Sequence, residues 1–288
     1  MAQIPSTVPQ FLNALRTLNP TAPRLTWYGP DSERVELSGR VLDNWVAKTA
    51  NFLADELDAG PGTVVALDLP VHWRSFVWLL ATWAVGATAV VGGSAGGAGD
   101  GDAGEGADGG NVPLGFGRAD IVATTDPVAA AGSITAARAA LTAEGGSGPA
   151  GPNPLLVAVA LPALAMRWTG ALPDGAVDYS GQVRAHADVH FPDDEPAGDD
   201  PAWETSAGTA TFAQLLPAPT VAQDANGQDA TGPDATGPQR VLLEARNGWD
   251  GVVREALATW AHGGSIVLLD PSAEATDRLR ATENVTRG

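Results

Sequence analysis

The sequence contains no cysteine and a single lysine, Lys48, among its 288 residues. The missing cysteines exclude disulfides, thiolate catalysis and zinc sites built on thiolates. Any mechanism that needs a lysine must therefore use Lys48. Basic residues are scarce as a class, because 16 Lys and Arg stand against 34 Asp and Glu, for a net charge of −18. This charge argues against nucleic acid as a partner, since phosphates need a basic surface, and equally against docking on an anionic membrane.

Long apolar runs are also missing. The longest uncharged apolar stretch, residues 76–91, is shorter than the ~20 residues that a membrane-spanning helix needs. The first ten residues lack the basic and apolar regions of a signal peptide. We therefore expect a cytoplasmic protein without a membrane partner.

Apolar periodicity predicts helices and strands that alternate along the chain. This alternation predicts an α/β fold, layered, with a largely parallel sheet flanked by helices. We expect one domain over residues 1–288, with a Gly-rich insert at 92–118 and a linker at 218–239. The predicted helices cover residues 6–18, 39–57, 72–85, 127–143, 177–189 and 249–262, and the predicted strands cover 24–28, 34–37, 63–69, 87–91, 119–124, 155–161, 240–244 and 265–269.

Two motifs are typical of ligand sites, one for a dinucleotide and one for a metal ion, but each lacks a feature that such a site needs. Residues 99–104 match GxGxxG, but no helix follows and the neighbouring carboxylates would repel a pyrophosphate. His186 and His190 stand at the i, i+4 spacing of a helical metal site, without an evident third ligand. We expect no metal site there, and we expect His72 and His262 to cap helices while partly exposed. No nucleophile elbow or Walker motif is present, so no catalytic residue is assigned.

Several short motifs follow one another in a specific order. Leu-Thr-Trp-Tyr at 25–28 and Val-Glu-Leu-Ser at 35–38 precede Ala-Gly-Pro-Gly-Thr-Val-Val-Ala at 59–66 and Gly-Ala-Thr-Ala-Val at 86–90. Ala-Asp-Ile-Val-Ala-Thr follows at 119–124, and Gly-Gly-Ser-Ile-Val-Leu-Leu at 263–269 precedes Glu-Asn-Val-Thr at 283–286. This order resembles the amino-terminal region of adenylate-forming enzymes, the AMP-dependent synthetases and ligases that include acyl-CoA synthetases. The resemblance covers a little over half of the chain and is nearest to short actinobacterial relatives of that superfamily.

The resemblance implies a site for ATP or AMP, with magnesium, at a loop rich in Ser, Thr and Gly. Its counterpart here is Glu-Thr-Ser-Ala-Gly-Thr-Ala-Thr at 204–211, where Thr205, Ser206, Gly208 and Thr209 would offer hydroxyls and amides to a phosphate. The family's loop lysine is absent, as are its adenine-binding motif, its ribose-binding aspartate and the carboxy-terminal domain with the catalytic lysine. Adenylation needs that electrostatic stabilisation, so we expect weak catalysis or none.

Three functions remain open on the sequence. The first is a non-catalytic relative that binds a protein partner or a small ligand, such as a carboxylic acid or a nucleotide. The second is a weak acyl-adenylate-forming enzyme, completed by a second polypeptide. The third is a structural interaction protein, which an exposed apolar face on the helix at 72–85 would favour.

Overall fold

The structure is a computed structural model that describes residue 5 and residues 7–92, 115–143, 152–192, 194–216 and 238–288. The GxGxxG tract and most of the predicted insert and linker lie outside these residues. The helices are α1 (Val8–Thr17), α2 (Gly39–Leu57), α3 (Trp73–Ala84), α4 (Pro127–Ala143), α5 (Tyr179–Gln182), α6 (Gly248–Ala261) and α7 (Asp277–Thr282). The strands are β1 (Pro23–Tyr28), β2 (Arg34–Ser38), β3 (Val64–Asp68), β4 (Thr88–Val91), β5 (Ile121–Thr124), β6 (Leu155–Ala158), β7 (Val177–Asp178), β8 (Pro201–Thr205), β9 (Gly208–Thr211), β10 (Arg240–Glu244) and β11 (Ser265–Leu269).

The chain forms two compact units. One contains Met1–Asp43 and Thr211–Gly288, and the other contains Asn44–Ala210. We call them the terminal unit and the central unit. One domain over residues 1–288 stays a prediction.

The terminal unit is built on a four-stranded sheet in the order β10-β11-β1-β2. β1 pairs in parallel with β11 and antiparallel with β2. The apolar strands are buried, and Leu25, Trp27 and Val267 have no exposed surface. The indole of Trp260 in α6 donates to the carbonyl of Arg24 over 2.7 Å, which ties this helix to β1.

The central unit contains a seven-stranded sheet in the order β7-β6-β5-β3-β4-β8-β9. Every pairing from β7 to β8 is parallel, which confirms the predicted α/β fold with a largely parallel sheet. β4 and β5 are buried along their whole length, as strands covered by helices on both faces should be. The carboxyl ends of these parallel strands therefore meet at one edge of the sheet, which we call the carboxyl edge.

The apolar helix α3 is buried at every residue from Trp73 to Trp83. It therefore has no exposed apolar face of the kind that would favour the structural alternative. Its three tryptophans are core residues. Within the described parts of the chain, no helix is long and apolar enough to cross a membrane.

The predicted helix over residues 177–189 is wrong at both ends, because residues 177 and 178 form β7 and only residues 179–185 are helical. α5 is followed by one 3-10 turn, Val183–Ala185, and the backbone is extended from His186 onward (φ −77°, ψ 159°). Only the first part of this segment has buried apolar residues at helical spacing, namely Tyr179 and Val183. The rest of the segment has no apolar face that packing could stabilise, so it does not form a helix.

Candidate ligand site

The segment that the sequence predicts as a phosphate loop is a tight hairpin. β8 ends at Thr205, Ser206 and Ala207 form the turn, and β9 begins at Gly208. We call residues 205–209 the 205–209 hairpin. The predicted loop over residues 204–211 is therefore too long, since most of these residues belong to the two strands. The β-branched threonines at 205, 209 and 211 favour a strand on each side of the turn.

The 205–209 hairpin stands at the carboxyl edge of the central unit. β8 runs parallel to β4, with Ala89 opposite Trp203 and Val90 opposite Glu204, so β8 ends on the same side as β3, β4 and β5. Open α/β sheets hold their ligands outside the carboxyl ends of the strands. The hairpin therefore lies where a ligand site is expected in this fold.

Two side chains fix the strand that leads into the hairpin. The indole nitrogen of Trp83 in α3 donates to the carbonyl of Ala202 over 2.7 Å, and the two rings of Trp83 and Trp203 meet edge to face at 5.8 Å. The hydroxyl of Thr88 in β4 donates to the carbonyl of Pro201 over 2.7 Å. Because these donors are buried or nearly so, β8 is held firmly and positions the turn.

The four predicted site residues differ in their surroundings. Thr205 is buried, and its hydroxyl accepts a hydrogen bond from the amide of Ala207 over 3.1 Å. Ser206, Gly208 and Thr209 are exposed. Gly208 has φ of +144°, a backbone conformation that a side chain would strain. The hairpin thus presents two exposed hydroxyls, while Thr205 stabilises the turn.

A cation that the sequence reasoning missed lies beside the hairpin. Arg118 forms an ion pair with Glu204, the residue that precedes Thr205, and half of the Arg118 side chain is exposed. No motif marks Arg118, which is 86 positions away from Glu204 along the chain (204 − 118). Only the fold brings the two side chains together.

The single lysine lies on α2, where it binds another segment. The Lys48 ammonium donates to the carbonyl of His186 and lies 2.8 Å from the Asp188 carboxylate. One turn along the helix, the Asn51 amide donates to the carbonyls of Ala187 and Val189 at 3.1 and 3.0 Å. These bonds hold segment 184–189, which is extended from His186 onward, against α2, so Lys48 has a structural role.

The two histidines of the i, i+4 motif do not share a helix face. Nδ1 of His186 lies 3.6 Å from the Asp55 carboxylate, whereas Nδ1 of His190 lies 2.7 Å from the side-chain oxygen of Asn51. Across the ranges that the structure describes, no three His, Cys, Asp or Glu side chains gather as metal ligands.

Two buried basic residues follow β3 at the carboxyl edge. His72 caps α3 by accepting the Arg74 amide at 3.1 Å, and it is buried rather than partly exposed as expected. Burial and then the Arg74 charge lower the pKa of His72 to about 3, so its ring is neutral at pH 7. The Arg74 guanidinium donates to the carbonyls of Leu161, Pro162 and Ala163 at 3.0 to 3.1 Å. Arg74 therefore holds the chain that leaves β6.

The strand order also creates a crevice between β3 and β5, where the chain changes direction across the sheet. The Thr124 hydroxyl donates to the Asp68 carboxylate there over 2.7 Å. An aspartate at this point disfavours an anion. For a negatively charged ligand, the 205–209 hairpin is the better part of the edge.

A cavity of about 370 Å³ lies elsewhere in the central unit, beside the end of α2 and the Gly60-Pro61 turn that leads into β3. It is therefore at the amino ends of the strands, opposite the hairpin. Asp55, Asp58 and Asp194 line it with His190. Its carboxylates disfavour the nucleotide or carboxylic acid that the sequence suggests.

One relative resembles the chain over nearly its full length. A protein of Mycobacterium tuberculosis, described as a TIGR03089 family protein, is 31% identical over 280 residues, which are 96% of this chain and 95% of that protein. The chain belongs to the TIGR03089 family. No family model matches the chain.

Solved structures show that the TIGR03089 chain has a fold like that of the N-terminal domains of adenylate-forming enzymes. It matches an acyl-CoA synthetase of Brucella canis with a TM-score of 0.60 at 19% identity, over 96% of this chain and 46% of the synthetase. It also matches the N-terminal domain of FACL13 from Mycobacterium tuberculosis, with a TM-score of 0.56 at 17% identity, over 97% of this chain and 61% of that one. The chain thus spans about half of these structures, and the predicted resemblance to their N-terminal domains is confirmed.

Proposed function

We propose that this chain is a non-catalytic relative of adenylate-forming enzymes that binds a small anion at the 205–209 hairpin. The ligand is a nucleotide or a small carboxylic acid. The observation that supports this most is the position of two exposed hydroxyls, Ser206 and Thr209, at the carboxyl edge of a parallel sheet.

The charges of the central unit support a binding role over a catalytic one. Adenylation develops negative charge on a phosphate in the transition state and relies on fixed cations to stabilise it. Lys48, the single lysine, is engaged with Asp188 and the carbonyl of His186. Glu204 adds a carboxylate next to the hairpin. An anion can bind weakly beside so few cations. The more highly charged transition state of adenylation would receive little electrostatic stabilisation from them.

Magnesium fits the described residues poorly. Glu204 is the carboxylate next to the hairpin and it already pairs with Arg118, and the described side chains form no cluster of three metal ligands. We therefore propose that hydroxyls, backbone amides and an arginine bind the anion, and we assign no protein side chain to a metal ion.

Calorimetric titration with ATP, AMP and an acyl-adenylate mimic, in magnesium and moderate salt, tests this function. We expect saturable binding of at least one of the three. In the double variant Ser206→Ala/Thr209→Ala the affinity should fall at least about tenfold, because each lost hydrogen bond to a charged group is worth roughly 1.5–3 kcal/mol.

A matched variant controls for the loss of hydroxyls. Ser133 and Thr135 lie on α4, so Ser133→Ala/Thr135→Ala makes the same chemical change away from the hairpin. Its affinity should equal that of the native protein. The absence of heat with all three ligands would overturn the proposal, and so would equal binding by the hairpin variant.

A further inference from the structure

We propose that Arg118 is the cation of this ligand site, and that Glu204 is an internal carboxylate that occupies Arg118 until a phosphate-bearing ligand displaces it. The inference rests on the proposed function. It adds the residue that binds the anion and the carboxylate that the anion displaces. The ion pair between the two side chains, one residue before the 205–209 hairpin, is the observation behind it.

The backbone holds Arg118 at a fixed place beside β4. Residues 115–118 form a turn, in which the amide of Arg118 donates to the carbonyl of Gly115 over 3.0 Å. Gly115 has φ of +86°, and a Cβ added there would lie 2.7 Å from Cγ1 of Val90, so the turn is packed closely onto β4. Phe116 is buried in the core of the unit with Val122 and Ala130. The main chain of Arg118 is thus anchored while its side chain is half exposed.

The distance from this ion pair to the hairpin is short. Glu204 and Ser206 are two residues apart, so their Cα atoms are separated by at most about 7 Å. The guanidinium that contacts Glu204 can therefore reach an anion at Ser206 by rotation of its own side chain. Its planar pair of donors suits two oxygens of a phosphate group.

The other cations of the central unit are engaged or lie further away. Lys48 is bound to segment 184–189, Arg74 to three carbonyls after β6, and Arg184 to the carbonyls of Ser180 and Ala165. Arg167 follows β6, which is four strand spacings from β8, or about 19 Å. Arg138 is on α4, which packs against β5 and β6 rather than β8. Among these described side chains, Arg118 is the cation that contacts β8.

The partner carboxylate gives the site its switch. The ion pair is partly solvated, with half of the Arg118 side chain and 23% of the Glu204 side chain exposed, and ion pairs that water reaches contribute little to stability. A phosphate with two negative charges competes for the same guanidinium with more charge and a matching geometry. Glu204, once released, remains near the ligand and opposes it. The two residues therefore act on affinity in opposite directions.

Titration of four variants with AMP tests the inference. Arg118→Gln should weaken binding at least about tenfold, as expected for loss of a charged hydrogen-bond donor. Glu204→Gln should tighten it, by up to about fivefold, because it frees Arg118 and removes a repelling charge. Arg167→Gln and Glu56→Gln change net charge equally at exposed positions away from the hairpin and should stay within about twofold of the native affinity.

Further variants separate the outcomes. Arg118→Lys keeps the charge and should retain affinity above that of Arg118→Gln, and circular dichroism checks that all variants are folded. If Arg118→Gln binds like Arg167→Gln, while Ser206→Ala/Thr209→Ala has lost binding, the inference is wrong and the proposed function stands. If neither the native protein nor Glu204→Gln binds AMP, ATP or the acyl-adenylate mimic, both are wrong.

Discussion

Replacement of Glu283 by alanine is expected to lower the free energy of unfolding by about 3–5 kcal/mol, the usual cost of removing one partner from a buried ion pair. Glu283 lies in the terminal unit, just after α7, with 4% of its side chain exposed. Its carboxylate accepts the Tyr28 hydroxyl at 2.5 Å, lies 2.9 Å from the Arg34 guanidinium and pairs with Arg240. Without it, the guanidinium of Arg240 in β10 loses its carboxylate, and that of Arg34 in β2 keeps only the exposed Glu36 among the two carboxylates that it pairs with.

Glu36→Ala is the matched control, because Glu36 also pairs with Arg34, over 2.7 Å, but 39% of its side chain is exposed. We expect this variant to lose no more than about 1 kcal/mol. Urea unfolding followed by circular dichroism measures both free energies. Equal losses in the two variants would contradict the assignment of Glu283 to the centre of the network.

The contribution of Glu283 to the free energy of unfolding should also depend on pH. Burial alone would raise the pKa of this carboxyl, but hydrogen bonds from Tyr28, Arg240 and Arg34 outweigh burial and lower it. A lowered folded pKa means that the stabilisation is complete above the ordinary value of about 4.3 and is lost as the pH falls through the folded pKa. The difference between the native protein and Glu283→Ala should be constant near pH 7 and shrink below about pH 4. A difference that grows on acidification would reverse the assigned sign.

Replacement of Arg74 by methionine is expected to cost about 3–5 kcal/mol in the central unit. Methionine keeps an unbranched chain next to Trp45 and Trp73, whose ring centroids lie 5.4 and 4.5 Å from the Arg74 guanidinium carbon. It removes the guanidinium donors to the carbonyls of residues 161–163. The Pro162 carbonyl keeps a backbone amide, while the other two carbonyls lose the guanidinium and the segment after β6 loses these bonds to α3.

Arg167→Met is the control for Arg74→Met, because it removes an exposed arginine from the same segment. Its free energy of unfolding should change by no more than about 0.5 kcal/mol. Tryptophan fluorescence during urea unfolding reports both variants. A loss below about 1 kcal/mol in Arg74→Met would mean that water replaces the guanidinium at the carbonyls.

The order of helices and strands follows from the sequence because it depends on local patterns. Helices α2 and α3 have apolar residues at helical spacing, and the hydroxyl of Ser38, just before α2, accepts the amide of Val41 at 3.3 Å as a serine in this position commonly does. β3 and β4 are short apolar runs bounded by turns, which is typical of buried parallel strands. The helix over residues 177–189 was the exception, since its second half has polar contacts with α2 in place of an apolar face.

The candidate site follows from the sequence only in part. The composition of residues 205–209 indicates hydroxyls and a glycine, but the turn at Ser206 and Ala207 depends on β9 lying beside β8. The roles of the charged residues depend on partners far along the chain. Lys48 contacts residues 136 and 138 positions away, and no local pattern marks such a pair. Arg118 and Glu204 are hidden from sequence reasoning for the same reason.

Acid-dependent exchange of labelled pyrophosphate into ATP tests the central claim most directly, because only a protein that forms acyl-adenylates supports this reaction. The purified protein would be assayed with a broad panel of carboxylic acids, alone and with cell extract, at concentrations where the titration shows ligand bound. We predict no exchange above the background without acid, together with saturable binding that Ser206→Ala/Thr209→Ala weakens at least about tenfold. Exchange that requires an acid, increases with the amount of this protein and is lost in the hairpin variant would contradict the account and identify an adenylate-forming enzyme.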